Sequence, residues 1–423
     1  MQLIKYLPLA SDRMGALWAL ASVKDACIIE YGPAGTTHYG IEGFMQLNAE
    51  LMSRLFTTHM DETDIVMGDS TRLEKTILEV DQVYKPPVIF VVASSISSLI
   101  GTDLETICEA LQPDVNAKLI ALTGGGFRGD YALGIREVLT LLAKHVVKPP
   151  TKKHQNSYNI IGSNIDCYNF FSDLKELKTL MHECFGYELN AVFTANSSIE
   201  EIENAANAGI NLVLRSEGVE AAEFLKEKYG IPYYSGLPYG YHGTQKWASG
   251  LAEVLSLELN EILKRTWMTA ANKHGMALRR TLFNYGKLSC VLSGNFDQVY
   301  AMYVFLTEEL GLDVKAVIVN HHKPSYMSAL SVELEEKLMF NPTEAEKEAL
   351  VCEGRPDVVF GDGVLLHIGG EVPIKIQVAN PNLDSIQIFD GTPYMGPRGA
   401  TFIIEKLLAG IYANRQFLKE RVR

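Results

Sequence analysis

Three loops of this chain carry hydroxyl groups and no cysteine: Ser11-Asp-Arg-Met-Gly15, Tyr31-Gly-Pro-Ala-Gly-Thr-Thr-His-Tyr39 and Ala93-Ser-Ser-Ile-Ser-Ser-Leu-Ile-Gly-Thr-Asp103. Neutral alcohols are poor ligands for soft metals, for which a thiolate is the natural donor. The six cysteines lie elsewhere, at positions 27, 108, 167, 184, 290 and 352, without CxxC pairs or regular spacing. That scatter argues against a disulfide framework or a zinc ribbon and favours a reducing, cytoplasmic compartment. Cys27, inside the apolar run Ala26-Cys-Ile-Ile29, reads as a small hydrophobe packed in a core. A displaced metal ligand or redox thiol is its alternative. Cys108, after Glu105-Thr-Ile, also reads as core.

His38 follows the Gly-Pro-Ala-Gly-Thr-Thr turn and is a candidate for interfacial chemistry as donor, metal ligand or proton carrier, set against an ordinary loop hydrogen bond. His321-His322 ends the run Val317-Ile-Val-Asn320 and would face either a cleft or solvent. Thr123-Gly-Gly-Gly-Phe-Arg-Gly-Asp130 would let backbone N–H groups approach an anion. It lacks both the Lys-Ser/Thr of a P-loop and GxGxxG spacing, and Ser293-Gly-Asn-Phe-Asp297 has a single glycine. No bound nucleotide is expected.

The elements that must position these residues are short apolar runs alternating with amphipathic helical stretches. Strands are expected near Ala26–Glu30, Ile65–Met67, Pro87–Val92 and Lys118–Leu122; Tyr158–Ile161, Leu189–Phe193, Asn211–Leu214 and Tyr233–Ser235; Leu288–Leu292, Lys315–Val319, Asp357–Phe360 and Ile374–Gln377. Such alternation specifies parallel sheets covered by helices. The expected fold is α/β, with three Rossmann-like, doubly wound domains built on parallel four-stranded sheets over 1–150, 151–280 and 281–423. The Lys148–His154 stretch reads as a linker, and the helical region Gln245–Tyr285 leads into the third unit. Ligands in such folds collect at the carboxyl ends of strands, where the hydroxyl loops fall. The acidic segment Ser331–Cys352 reads as two solvated helices broken at Asn341-Pro342.

With 423 residues, 47% of them hydrophobic, the chain can bury several cores. A net charge of −13 disfavours nucleic-acid partners. No apolar run reaches the length of about 18 residues that a bilayer span needs, and no signal-peptide core is evident, so no membrane association is expected.

Placed at strand ends, these loops closely resemble those of the nitrogenase component 1 family. The resemblance runs through Val23–Gly35, Asp61-Glu-Thr-Asp-Ile-Val-Met-Gly68, Ser97-Ser-Leu-Ile-Gly-Thr-Asp-Leu104, the Thr123–Gly129 turn, Leu225–Pro232 and Gly391-Thr-Pro-Tyr-Met-Gly-Pro-Arg-Gly-Ala400. Cluster-bearing members have cysteine where this chain has Ser11, Thr36 and Ser95. The catalytic alpha subunit of nitrogenase holds its metal cofactor with one cysteine and one histidine. The segment Asn211–Ser216 resembles the first region without a cysteine, and Met395 falls where the histidine is expected.

The resemblance implies a nitrogenase-like reductase subunit working with a homologous component 1 subunit, as homodimer or heterotetramer, and with an ATP-dependent iron-sulfur reductase protein. A [4Fe-4S] cluster would be shared with or supplied by the partner subunit, at Ser11, Thr36 or Ser95. Neither a molybdenum cofactor in the usual attachment nor dinitrogen reduction is expected. The competing reading is a non-catalytic scaffold, cofactor carrier or sensory paralogue.

Overall fold

The computed structural model describes residues 4–47, 52–324, 327, 330–383 and 390–422. Among the described residues, thirteen strands form three all-parallel sheets. The first contains β1 (Cys27–Tyr31), β2 (Arg54–Thr57), β3 (Val88–Ala93) and β4 (Lys118–Leu122) in the order β2-β1-β3-β4. The second contains β5 (His154–Ser163), β6 (Glu188–Thr194), β7 (Ala208–Val213) and β8 (Tyr233–Ser235), ordered β6-β5-β7-β8. In the third, β9 (Ser289–Gly294), β10 (Asp313–Val319), β11 (Leu338–Phe340), β12 (Val358–Gly361) and β13 (Ile374–Gln377) run β11-β10-β9-β12-β13.

The central strands are β-branched runs buried on both faces, as parallel strands between helices must be. In β3, Val88, Phe90 and Val92 enter the main core while Ile89, Val91 and Ala93 enter a second cluster on the other face. The main core is continuous through all three sheets, linking Leu17 and Phe90 to Phe193, Phe360 and Ile404. Among the described residues, no helix is long and apolar enough to cross a membrane.

Two expectations need correction. The Ile65–Met67 run lies in the helix Glu62–Met67: Asp61 and Asp64 form a capping box at its start, and Gly68 at φ +65° ends it. The strand at that edge is instead β2, a partly exposed Arg-Leu-Phe-Thr segment whose mixed character hid it. The third sheet has five strands because Leu338–Phe340, within the stretch expected to be two helices, pairs with β10 beside Val317–Val319. The flanking helices, Val332–Lys337 and Glu344–Glu348, do lie either side of the Asn341-Pro342 break.

The helices Asp12–Ala21 and Tyr131–Leu141 cross at unusually short range. A β-carbon built on Gly15 would sit 1.9 Å from the Tyr131 carbonyl oxygen, and one on Gly134 would sit 1.8 Å from that of Asp12. The crossing ties the loop before the first helix to the turn after β4, with the Asp12 N–H donating to the Gly129 carbonyl at 3.0 Å.

Candidate functional site

The carboxyl ends of β1 and β3 carry Thr36 and Ser95 to one corner, and Ser11, just before the first helix, lies against Gly126 in the turn after β4. Ser11 caps the helix Asp12–Ala21 by its backbone, and its side chain makes no capping hydrogen bond. Ser95 opens the helix Ser95–Leu99, after Ser94 has accepted the Ser97 N–H, and its Oγ donates to the Gly125 carbonyl at 2.8 Å. Thr36 sits in the first turn of the helix Ala34–Met45 and donates to the Pro33 carbonyl at 2.8 Å. Gly126, at φ +97°, joins two of them: its missing β-carbon would lie 3.2 Å from Ser11 Oγ and 3.5 Å from Ser95 Oγ. Gly32 joins the third, since a β-carbon there would lie 2.4 Å from Ser94 Oγ and 3.0 Å from Thr36 Oγ1.

Asp12 completes the corner. It is 1% exposed, and neither carboxylate oxygen has a hydrogen-bond partner, while Arg128 Nε stands 3.7 Å away. Leu99 and Phe127, 69% and 61% exposed, flank it on the outside.

The hydroxyl donor set does not fit an iron-sulfur cluster held by this chain alone. Ser95 and Thr36 are neutral donors already spent on carbonyls. Cys27 lies fully buried on β1, in the cluster with Ile29, Leu73 and Ile77, where burial pushes its thiol up. Cys108 shares that cluster. His38 is largely exposed to solvent, 3.2 Å from Glu42. Among the described residues, no three His, Cys, Asp or Glu side chains gather as a metal site.

A second site is a cavity of about 710 Å³ at the carboxyl ends of the second and third sheets, closed on one side by the helices that carry Trp18 and Tyr39. Met395, buried in its wall, precedes the helix Gly396–Ala413. Asp173 crosses from the helix Phe170–Phe185 to that helix start: its Oδ1 accepts the Tyr394 and Met395 N–H groups at 2.7 and 3.0 Å. Burial outweighs these bonds and pushes the carboxyl up to about 7.

Behind β5 and β7, Arg215 binds Glu217 through Nε and Nη2 at 3.0 and 3.1 Å and Asp166 Oδ2 through Nη1 at 2.7 Å. Gly162, at φ +94°, makes room for it, because a β-carbon there would lie 2.4 Å from Arg215 Cγ. Cys167 faces the same cavity, its thiol pushed up to about 12 by burial and by Asp166. Asp297, in the first turn of the helix Phe296–Val304 after β9, accepts from Ser216 N and Oγ at 2.7 and 2.8 Å; burial and Glu217 push its carboxyl up to about 6.

The two histidines after β10 divide their roles. His321 is fully buried, accepts the Phe296 N–H on Nε2 at 3.1 Å and pairs through Nδ1 with the His322 carbonyl. His322, largely exposed, reaches Asp130 at 2.7 Å and so ties the third sheet to the turn after β4. The glycines of that turn pack against Asp12, Ser94 and Ser98, and the turn shapes the corner. Sequence reasoning missed Asp12, Asp166, Asp173 and Arg215. The available signal was charge directly following apolar runs, as in Arg215-Ser-Glu217 after β7.

Comparison with known proteins adds relatives to this geometry. The profile of a family described as nitrogenase component 1 type oxidoreductase matches residues 11–412. The nitrogenase iron-molybdenum cofactor biosynthesis protein NifE of Nostoc sp. is 30% identical over 232 residues, which cover 53% of this chain and 47% of that one. A light-independent protochlorophyllide reductase subunit of Heliobacterium modesticaldum is 23% identical over 389 residues, covering 89% and 73%. Thus the chain spans about half the length of the NifE relatives from Nostoc sp. and Methanococcus maripaludis. A solved structure titled "Nitrogenase Cp1 at pH 6.5" superposes with a TM-score of 0.79 at 16% identity, over 98% of this chain and 95% of that one.

Proposed function

Because the chain belongs to the nitrogenase component 1 type oxidoreductase family, we propose that it is one subunit of a nitrogenase-like reductase complex whose electrons come from an ATP-dependent iron-sulfur reductase protein. One observation carries this reading. Ser11, Thr36 and Ser95 still converge on a single corner although none is a thiol, and apolar Leu99 and Phe127 stand exposed beside it. A homologous subunit, from a second copy or a distinct chain, would cover that corner and bring the thiolates of a [4Fe-4S] cluster to it. The central cavity is then the reaction chamber. Its Met395, and the lack of cysteine in Asn211–Ser216, disfavour a molybdenum cofactor in the usual attachment and with it dinitrogen as substrate. The proposed units are 1–150, 151–280 and 281–423, in a cytoplasmic assembly.

The test is anoxic purification of this chain alone and together with a homologous subunit, followed by iron and labile-sulfide assay. Iron is expected only in the joint preparation. If neither preparation holds iron, the reductase reading falls. The same hydroxyl corner favours a second reading, a scaffold or cofactor carrier, which would then stand. The triple variant Ser11→Cys, Thr36→Cys, Ser95→Cys adds a positional check: it should bind iron and sulfide on reconstitution, and failure would remove those three positions from the argument.

A further inference from the structure

We propose that the central cavity takes a flat ligand bearing a positively charged or N–H-donating nitrogen, held by Asp166 and Asp173, and discriminates against anions. The inference rests on reading this cavity as the reaction chamber, and it names the charge of what enters.

The described part of the wall is acidic. Five carboxylates, from Glu42, Asp166, Asp173, Glu344 and Asp362, meet two cations, Arg215 and Lys347. Arg215 is fully engaged by Glu217 and Asp166, and Lys347 donates to Asn320 Oδ1 at 3.2 Å. Helix starts, the other natural anion sites, are filled by the chain's own acceptors. Asp173 Oδ1 takes the N–H groups before Gly396–Ala413, Asp362 Oδ1 accepts from Leu365 N at 3.0 Å, and Asn295 and His321 serve the helix Phe296–Val304. Among the described residues of this wall, an entering anion would find five carboxylates against one cation, Lys347, that meets only the neutral amide of Asn320.

Acceptors, by contrast, are left over. Asp166 gives Oδ2 to Arg215 while its Oδ1 is buried without a partner. Asp173 concentrates both of its hydrogen bonds on Oδ1, leaving Oδ2 unused. Asn380 donates through Nδ2 to the carbonyls of Ile165 and Asp166, and its buried Oδ1 is also without a partner. Unfilled buried acceptors are costly, so a ligand that supplies donors restores what folding left unmade. Trp18, Tyr39, Tyr131, Tyr168 and Phe170 offer aromatic surface in the same wall, suited to a planar cation.

The experiment is a fluorescence titration of the full chain at pH 8, above the value of about 7 to which burial pushes the Asp173 carboxyl, with two dyes of similar shape and opposite charge, proflavine and acridine-9-carboxylate. Proflavine is expected to saturate one site per chain at least about tenfold more tightly than the carboxylate, the scale of one charged hydrogen bond. Asp166→Asn and Asp173→Asn keep an oxygen for the existing bonds and turn the unused acceptor into a donor, so each should weaken proflavine binding roughly tenfold at unchanged circular dichroism. Equal or tighter binding of acridine-9-carboxylate overturns the proposal. So does the absence of saturable proflavine binding, or proflavine binding untouched in both variants, which would place the dye on the acidic surface. The titration needs no iron, so its failure and failure of the subunit reading are told apart by the iron assay.

Discussion

At the scale of single residues, the chain buries carboxylates where their charge is poorly compensated. Asp173 and Asp297, pushed up to about 7 and about 6, both bridge the second and third sheets. An unfolded aspartate releases its proton near pH 4, so between that pH and the folded value the native protein holds a proton the unfolded chain has lost. The stability from that proton is full below pH 4 and is lost as pH rises through 6 to 7. Asp173→Asn keeps the acceptor for Tyr394 and Met395 without the charge. Relative to the parent it should gain roughly 2–3 kcal/mol between pH 5 and pH 8 in urea unfolding, and a constant difference across that range would contradict this assignment. None of this was legible in the sequence. Asp173 stands in an ordinary amphipathic pattern, and only the fold determines that its face of the helix meets the start of another. Cys27 is the opposite case: an apolar run on both sides was enough to place it in a core.

At the scale of elements, close approach and capping hold the corner and the cavity in place. The helices Asp12–Ala21 and Tyr131–Leu141 meet through Gly15 and Gly134, so a single methyl there must push backbone apart. Gly134→Ala should cost about 2 kcal/mol or more. Gly35→Ala, in a helix where the new methyl meets nothing within 4 Å, should be neutral or gain about 0.5–1 kcal/mol; equal effects in urea titrations would refute the crossing as the cause. Glu309 is a second device. Its carboxylate accepts the N–H groups of Tyr241, His242 and Gly243 at 2.8, 3.0 and 3.1 Å, beginning the helix Tyr241–Leu255. Glu309→Ala should therefore lose about 2–3 kcal/mol, a loss that Glu309→Gln recovers only in part, because its single oxygen serves His242 and Gly243 and leaves the Tyr241 N–H facing a donor. Strand positions were readable where β-branched runs are continuous, as in β3 and β10. They were not at β2 and β11, short edge segments that owe their conformation to the neighbour they pair with.

At the scale of the whole molecule, the resemblance in ordered motifs located the hydroxyl corner because its loops keep their places at strand ends even with their thiols replaced. The cavity's charge was not readable, since it is assembled from residues far apart in the chain, such as Asp166, Arg215 and Asn380. The exposed Leu99 and Phe127 belong to this scale too. Phe127→Asp should abolish co-purification with a homologous subunit while moving the thermal midpoint of the isolated chain by no more than about 2 °C, as a surface substitution would; unchanged assembly would put the partner on another face. Finally, the main core joins Leu17 and Leu20, near the start of the chain, to Ile403, Ile404 and Leu407 in the helix Gly396–Ala413. On the ribosome that core lacks this layer until the helix Gly396–Ala413 has emerged, an interval on the order of tens of seconds after Leu17. Throughout it, apolar faces of the first two sheets wait without their cover, and the nascent chain becomes a client for holding chaperones before it can join any assembly.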